Sequence, residues 1–169
     1  MDGDLEPSRG HRAHDGADIR MTSCECTDRS AIERLLADYA WYVDRGEFEA
    51  FAELFRHGVW NGKAGYEATL EWLRRNVILY DGVPLTHHVI SNVTIDIDPE
   101  LDRATVRSYI MVFQRTPSDD SVRVVTANSY DDVLVKRPEG WTFEQRLVAR
   151  RLVGDFSGHL HPDLKPPVG

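Results

Sequence analysis

The chain has 169 residues, 20 Lys and Arg against 28 Asp and Glu, a formal net charge of -8 and 41% hydrophobic residues, which suits one domain with a real core. The acidic balance speaks against nucleic acid or an anionic membrane surface as the main partner, because both recognise a concentrated basic patch. No apolar run of about 18 residues is present to span a bilayer, and the N-terminus has no basic segment leading into an apolar one, as a secretory signal would.

Residues 1–27 hold few large apolar side chains and many Gly, Asp, Arg and His. Such a segment cannot bury enough surface to offset the entropy of ordering. It is expected to form a flexible arm, with Met21 as a candidate natural start. His11 and His14, and Cys24 and Cys26, have spacings that invite a metal. Structural zinc sites draw on longer cysteine spacings in an ordered frame, so no metal is expected here. Two cysteines with one residue between them cannot staple a core, and a reducing cytoplasm is the expected location.

At Ser30 the pattern changes. Ser30 and Glu33 have capping-box spacing ahead of an apolar stripe at Ile32, Leu35, Leu36, Tyr39 and Tyr42 or Val43, and Gly46 is a fitting stop. Asp44 then falls in the last turn, where the helix macrodipole favours a cation instead. A second short helix is expected over 48–55, burying Phe51, Leu54 and Phe55. A short strand at 59–61 and a third helix over 66–80 follow, with Leu70, Leu73 and Val77 on one face.

Beyond the third helix the apolar period is two. Val89, Ile90, Val93, Ile95 and Ile97 populate one strand, and 104–114, 122–135 and 141–153 read as three more. Their separators at 98–100, 117–120 and 138–140 are short turns suited to antiparallel hairpins. Helices followed by a meander predict an α+β fold. The expectation is a cone-shaped α+β barrel, its curved, mostly antiparallel sheet wrapped around three N-terminal helices over one interior pocket. The domain spans 28–154, and 155–169 reads as a Pro-rich extended tail whose His159 and His161 make a weak metal pair.

Few ionisable groups lie in apolar surroundings. Asp44 closes the first helix, with Tyr39 five residues before it. His87 and His88 open the first long strand, where neighbours face opposite sides, so only one looks into the cone. Arg146 stands mid-strand among Phe143, Leu147 and Val148, and a buried Arg needs a carboxylate or a ligand. Each has a plainer reading: Asp44 as a solvated helix-end carboxylate, His88 as a satisfied strand histidine, Tyr39 as a core aromatic, Arg146 as the partner of Asp132. Neither a dinucleotide fingerprint nor a P-loop occurs, so no cofactor is expected.

The order of these pieces resembles the nuclear-transport-factor-2-like superfamily, and within it the SnoaL-like polyketide cyclase and dehydratase group. The resemblance rests on A-I-x-x-L-L-x-D-Y-A-x-x-V-D-R-G from Ala31 and E-L-F at Glu53. It continues in T-H-H-V-I-S-N from Thr86, S-Y-D-D-V-L-V-K-R from Ser129 and G-W-T-F-E-Q-R from Gly140. Similarity to scytalone dehydratases, lindane dehydrochlorinases and bile-acid 7α-dehydratases implies a catalytic His88 supported by Asp44, with Tyr39 and Arg146 beside them. It also implies a substrate wall drawing on Tyr42, Phe55, Trp60, Asn128 and Tyr130. Asn128 stands where relatives often carry Gly, which alters that wall.

The implied activity is a cofactor-independent elimination from a mostly apolar, ring-containing small molecule, in natural-product biosynthesis or catabolism. Imidazole can remove and return a proton near neutral pH. A cyclase or isomerase using the same pair, or a non-catalytic ligand carrier or dioxygenase β-subunit-like protein, are the alternatives. Sheet faces in this superfamily commonly pair, so a homo-oligomer, a dimer, is expected.

Overall fold

The first long helix, α1 (Ser23–Asp44), is set by its apolar stripe: Ile32, Leu36, Tyr39 and Val43 are buried at helical spacing. The computed structural model describes residues 23–162. Within it α1 starts seven residues ahead of Ser30, so Ser30 is a mid-helix residue and residues 23–27 are helical. The anchor is Asp28, whose carboxylate accepts from Trp141 Nε1 at 2.9 Å and Lys136 Nζ at 3.0 Å. The rest of the expected arm, with His11 and His14, lies outside the described residues, as does the Cys24 side chain. Cys26 is free and exposed.

Gly46 ends α1 as its sequence position predicts. The Glu47 N–H donates to the Tyr42 carbonyl at 2.9 Å and the Gly46 N–H to that of Val43 at 3.1 Å, the double closure of a Schellman motif. Its φ of +70° is the left-handed region that favours glycine. The chain then forms α2 (Phe48–Glu53), a small hairpin of β1 (Val59–Trp60) and β2 (Lys63–Ala64), and α3 (Gly65–Asn76). Gly58 lets the chain lie against the sheet, for a Cβ there would sit 2.1 Å from the Phe143 carbonyl oxygen.

The third helix stops at Asn76, four residues short of the expected end. Val77 and Ile78 are β-branched and prefer extended backbone. Here they gain partners from the chain's far end: Val77 pairs with Leu160, and the Ile78 N–H donates to the His159 carbonyl at 3.0 Å.

Four long strands follow: β3 (Thr86–Asp98), β4 (Arg103–Thr116), β5 (Asp119–Arg137) and β6 (Gly140–Val153). The sheet order is β2-β1-β6-β5-β4-β3, antiparallel except where β1 runs parallel to β6. Its outer strands are β2 and β3, so the curved sheet remains open and the expected barrel does not close. A register shift between Ser91 and Thr94 bends β3. It also switches which parity faces inward, from Thr86, His88 and Ile90 before it to Val93, Ile95 and Ile97 after it.

The helices fill the concave side, where Phe51, Phe55, Trp60 and Phe143 make an aromatic core around Tyr39. The expected tail is part of the fold as far as residue 162. The Gly158 carbonyl accepts from Tyr80 Oη and Gln114 Nε2, both at 2.8 Å, and His159 and Leu160 come to lie against the helices.

Candidate functional site

Asp44 sits at the end of α1 most hostile to a carboxylate, since the last-turn carbonyls already carry partial negative charge. Three donors from β3 offset this. His88 Nδ1 lies 2.6 Å from Asp44 Oδ1, Thr86 Oγ1 donates to the same oxygen at 2.7 Å, and the His88 N–H donates to Oδ2 at 2.8 Å. Burial raises the Asp44 pKa, yet the His88 ring, its charge and these hydrogen bonds outweigh it, and the net direction is down. An ionised Asp44 requires the His88 proton on Nδ1, which leaves Nε2 as a free base. His87 lies on the opposite face of β3 and is exposed.

His88 borders an interior cavity of about 100 Å³ whose polar wall includes Tyr39, Trp60, Asn128, Tyr130 and His159. Tyr39 Oη is 3.2 Å from Tyr130 Oη and accepts from Trp60 Nε1 at 3.3 Å. Burial is the main cause that pushes the Tyr130 hydroxyl well above its ordinary value, so both lone pairs and the proton stay available for hydrogen bonding. On its outer side His88 also lines a larger groove between α1 and β3, about 540 Å³, with Asp44, His87 and Trp41. The inner cavity is the better chemical site, because it joins the imidazole to the Tyr39 and Tyr130 phenols and the Asn128 amide.

Arg146 is fully buried and does not line this cavity. Its guanidinium meets Asp132 in a two-pronged pair, Nε to Oδ1 at 2.8 Å and Nη2 to Oδ2 at 2.5 Å. It also stacks on Tyr39, Tyr130 and Phe143, at 4.1, 4.3 and 4.5 Å from the ring centres. Burial works against its charge, but Asp132 prevails and raises its pKa further. Arg146 therefore underpins the two tyrosines. Its expected place beside the ligand is corrected, for the inward β6 position puts it one layer beneath the rings.

Two more expectations are corrected. Phe55 is stacked on Phe143 in the closed core, centroids 4.8 Å apart, and does not reach the cavity. Tyr42 is half-buried on α1 and lines neither the cavity nor the outer groove. Trp60, Asn128 and Tyr130 do border it. Sequence reasoning missed His159 as a wall of this cavity, because three prolines nearby signal an extended tail and no local pattern announces a buried turn. His161 is exposed. Among the described residues, no group of three or more His, Cys, Asp or Glu gathers to hold a metal ion. No helix among them is long and apolar enough to cross a membrane.

Known proteins share this fold. A candidate scytalone dehydratase from Novosphingobium aromaticivorans superposes with a TM-score of 0.64 at 27% identity, covering 80% of this chain and 91% of that one. An NTF2-like protein with a cystatin-like fold from the same species gives 0.62 at 22% identity over 74% and 82%, a likeness of fold alone. The uncharacterized protein Rv2910c of Mycobacterium tuberculosis is 25% identical over 136 residues, 75% of this chain and 88% of its own. The profile of the SnoaL-like domain matches residues 25–147, from the first turns of α1 to the middle of β6. With helices leading into an open curved sheet over the matched length, the chain belongs to the SnoaL-like domain family, within the NTF2-like fold.

Proposed function

We propose that this protein is a cofactor-independent lyase that eliminates water, or a comparable leaving group, from a small, mostly apolar ring compound. The observation that carries this reading is the 2.6 Å contact between His88 Nδ1 and Asp44 Oδ1 at the edge of a cavity. A carrier has no need of a carboxylate-oriented imidazole whose second nitrogen is left free. His88 Nε2 removes a proton next to a carbonyl, Asp44 stabilises the resulting imidazolium, and the imidazolium returns the proton to the departing oxygen. The Tyr39–Tyr130 hydroxyl pair donates to the carbonyl oxygen as enolate charge develops. Likeness to a candidate scytalone dehydratase supports the same reaction class.

The outer sheet face exposes Tyr109 on β4, Val124 on β5 and Leu147 on β6, which supports a homodimer formed through that face. The test of the activity is a screen of cyclic β-hydroxy ketones for formation of the conjugated enone, followed by absorbance. Turnover is expected in the wild type and not in His88→Ala. Full activity in a folded His88→Ala variant would overturn the reading.

A further inference from the structure

We propose that His159 is a second substrate-contacting imidazole, holding the oxygen that leaves, and that the ligand is therefore a single-ring compound with a hydroxyl group β to its carbonyl. This rests on the lyase reading above and adds to it a residue outside the stretch that the family profile matches, 25–147.

His159 is delivered to the cavity by a built device. Its carbonyl accepts the Ile78 N–H at 3.0 Å and its N–H donates to the Phe156 carbonyl at 2.8 Å. The preceding Gly158 carbonyl takes two side-chain donors, Tyr80 Oη and Gln114 Nε2. The following Leu160 pairs with Val77 beyond the end of α3. So fixed, the His159 ring lines the same cavity as His88. It is 9% exposed, and Nδ1 has no hydrogen-bond partner among the described residues. A buried donor or acceptor left unmet destabilises the fold, which Leu or Phe at this position would avoid. An imidazole fixed by its backbone in the wall of a cavity, with a ring nitrogen that the described residues leave unmet, is placed to meet a ligand.

The environment also separates the two imidazoles. His88 has the Asp44 carboxylate, whereas no acid among the described residues bonds His159 Nδ1. Burial first, then the His88 charge, pushes His159 down to about 4, so it stays neutral while His88 shuttles the proton. Both imidazoles line the one cavity. The bookkeeping closes without His159 changing charge. His88 Nε2 takes the α proton, the C–H electrons become the new C=C bond, the β C–O bond breaks, and the departing hydroxide receives the proton from His88 to leave as water. His159 hydrogen-bonds that oxygen throughout. A cavity of about 100 Å³, smaller than the roughly 150 Å³ apolar cavity that binds benzene, admits no more than one ring.

The probes are resorcinol and phenol. Resorcinol is a planar, unreactive mimic of the enol with a second oxygen in the β position, and phenol lacks that oxygen. Calorimetric titration of the full chain should find resorcinol bound about tenfold more tightly than phenol, the value of one good hydrogen bond to a desolvated group. His159→Phe should retain phenol binding and lose the preference, and His159→Gln should restore part of it. In the wild type, two-bond proton–nitrogen spectra should show the His159 ring nitrogens shifting with resorcinol and much less with phenol. That measurement decides the matter should His159→Phe fail to fold. Equal binding of the two probes, a preference that survives in His159→Phe, or equal loss of both ligands in that variant would each overturn the role of His159. If the wild type binds neither probe, the small-ring lyase reading itself fails and takes this inference with it.

Discussion

Asp44 shows how a single residue placed against its helix dipole becomes useful when another strand supplies the compensating donors. Asp44→Asn keeps the shape but no longer dictates which His88 nitrogen carries the proton, so kcat is expected to fall by about 10²-fold or more with the fold intact. Steady-state rates beside a melting curve check this. Arg146 is the contrasting case, a charge that props up the site without reaching it. Arg146→Met alone leaves the Asp132 carboxylate buried without its partner and should lower stability by about 3–5 kcal/mol. The double variant Arg146→Met with Asp132→Leu should recover most of that loss in denaturant titrations. His159 makes stability depend on acid. Its folded pKa lies near 4, below the ordinary 6.5, so between those values the unfolded chain holds a proton that the folded chain lacks. Stability must then fall as pH drops from 6.5 towards 4, by up to about 3 kcal/mol from this group. The decline should be visibly shallower in His159→Gln, measured as midpoint against pH.

At the scale of elements, the site depends on how α1 ends and how β3 bends. Gly46 stops the helix one turn from the sheet, and a Cβ there would lie 2.4 Å from the Gly82 carbonyl oxygen. Gly46→Ala is expected to lower stability by about 1–3 kcal/mol and to weaken activity further by moving Asp44 off His88. Calorimetric melting and a rate assay on the same sample read the two effects separately. The β3 bulge matters in another way. It lets Thr86 and His88 face inward with Ile95 and Ile97 although the two sets have opposite parity. Without it, one half of the strand would turn its apolar residues to water.

For the whole molecule, the open sheet presents two surfaces with different tasks. The concave one holds helices and cavity, while the convex one exposes Tyr109, Val124 and Leu147 on adjacent strands. The proposed homodimer predicts that Tyr109→Lys with Leu147→Glu yields a monomer in analytical ultracentrifugation at micromolar concentration. A wild type that is already monomeric there would remove the dimer proposal without touching the site.

Much of this protein is legible from local pattern alone. The apolar stripe from Ile32 to Val43 and the left-handed requirement at Gly46 define α1, because 3.6-residue periodicity and steric exclusion at positive φ are properties of neighbouring residues. Alternation likewise assigns Asn128, Tyr130 and Asp132 to one face and sends His87 and His88 to opposite ones. What the pattern cannot carry is the partner of each face. Asp44 meets His88 across 44 residues, and Arg146 meets Asp132 in a neighbouring strand, because sheet register and the bend of β3 bring them together. The same holds for the parallel pairing of β1 with β6 and for the open edge of the sheet. His159 is the clearest instance: residues rich in proline and glycine read as a tail, and only the unfilled carbonyls and amides beyond α3 turn them into a wall of the cavity.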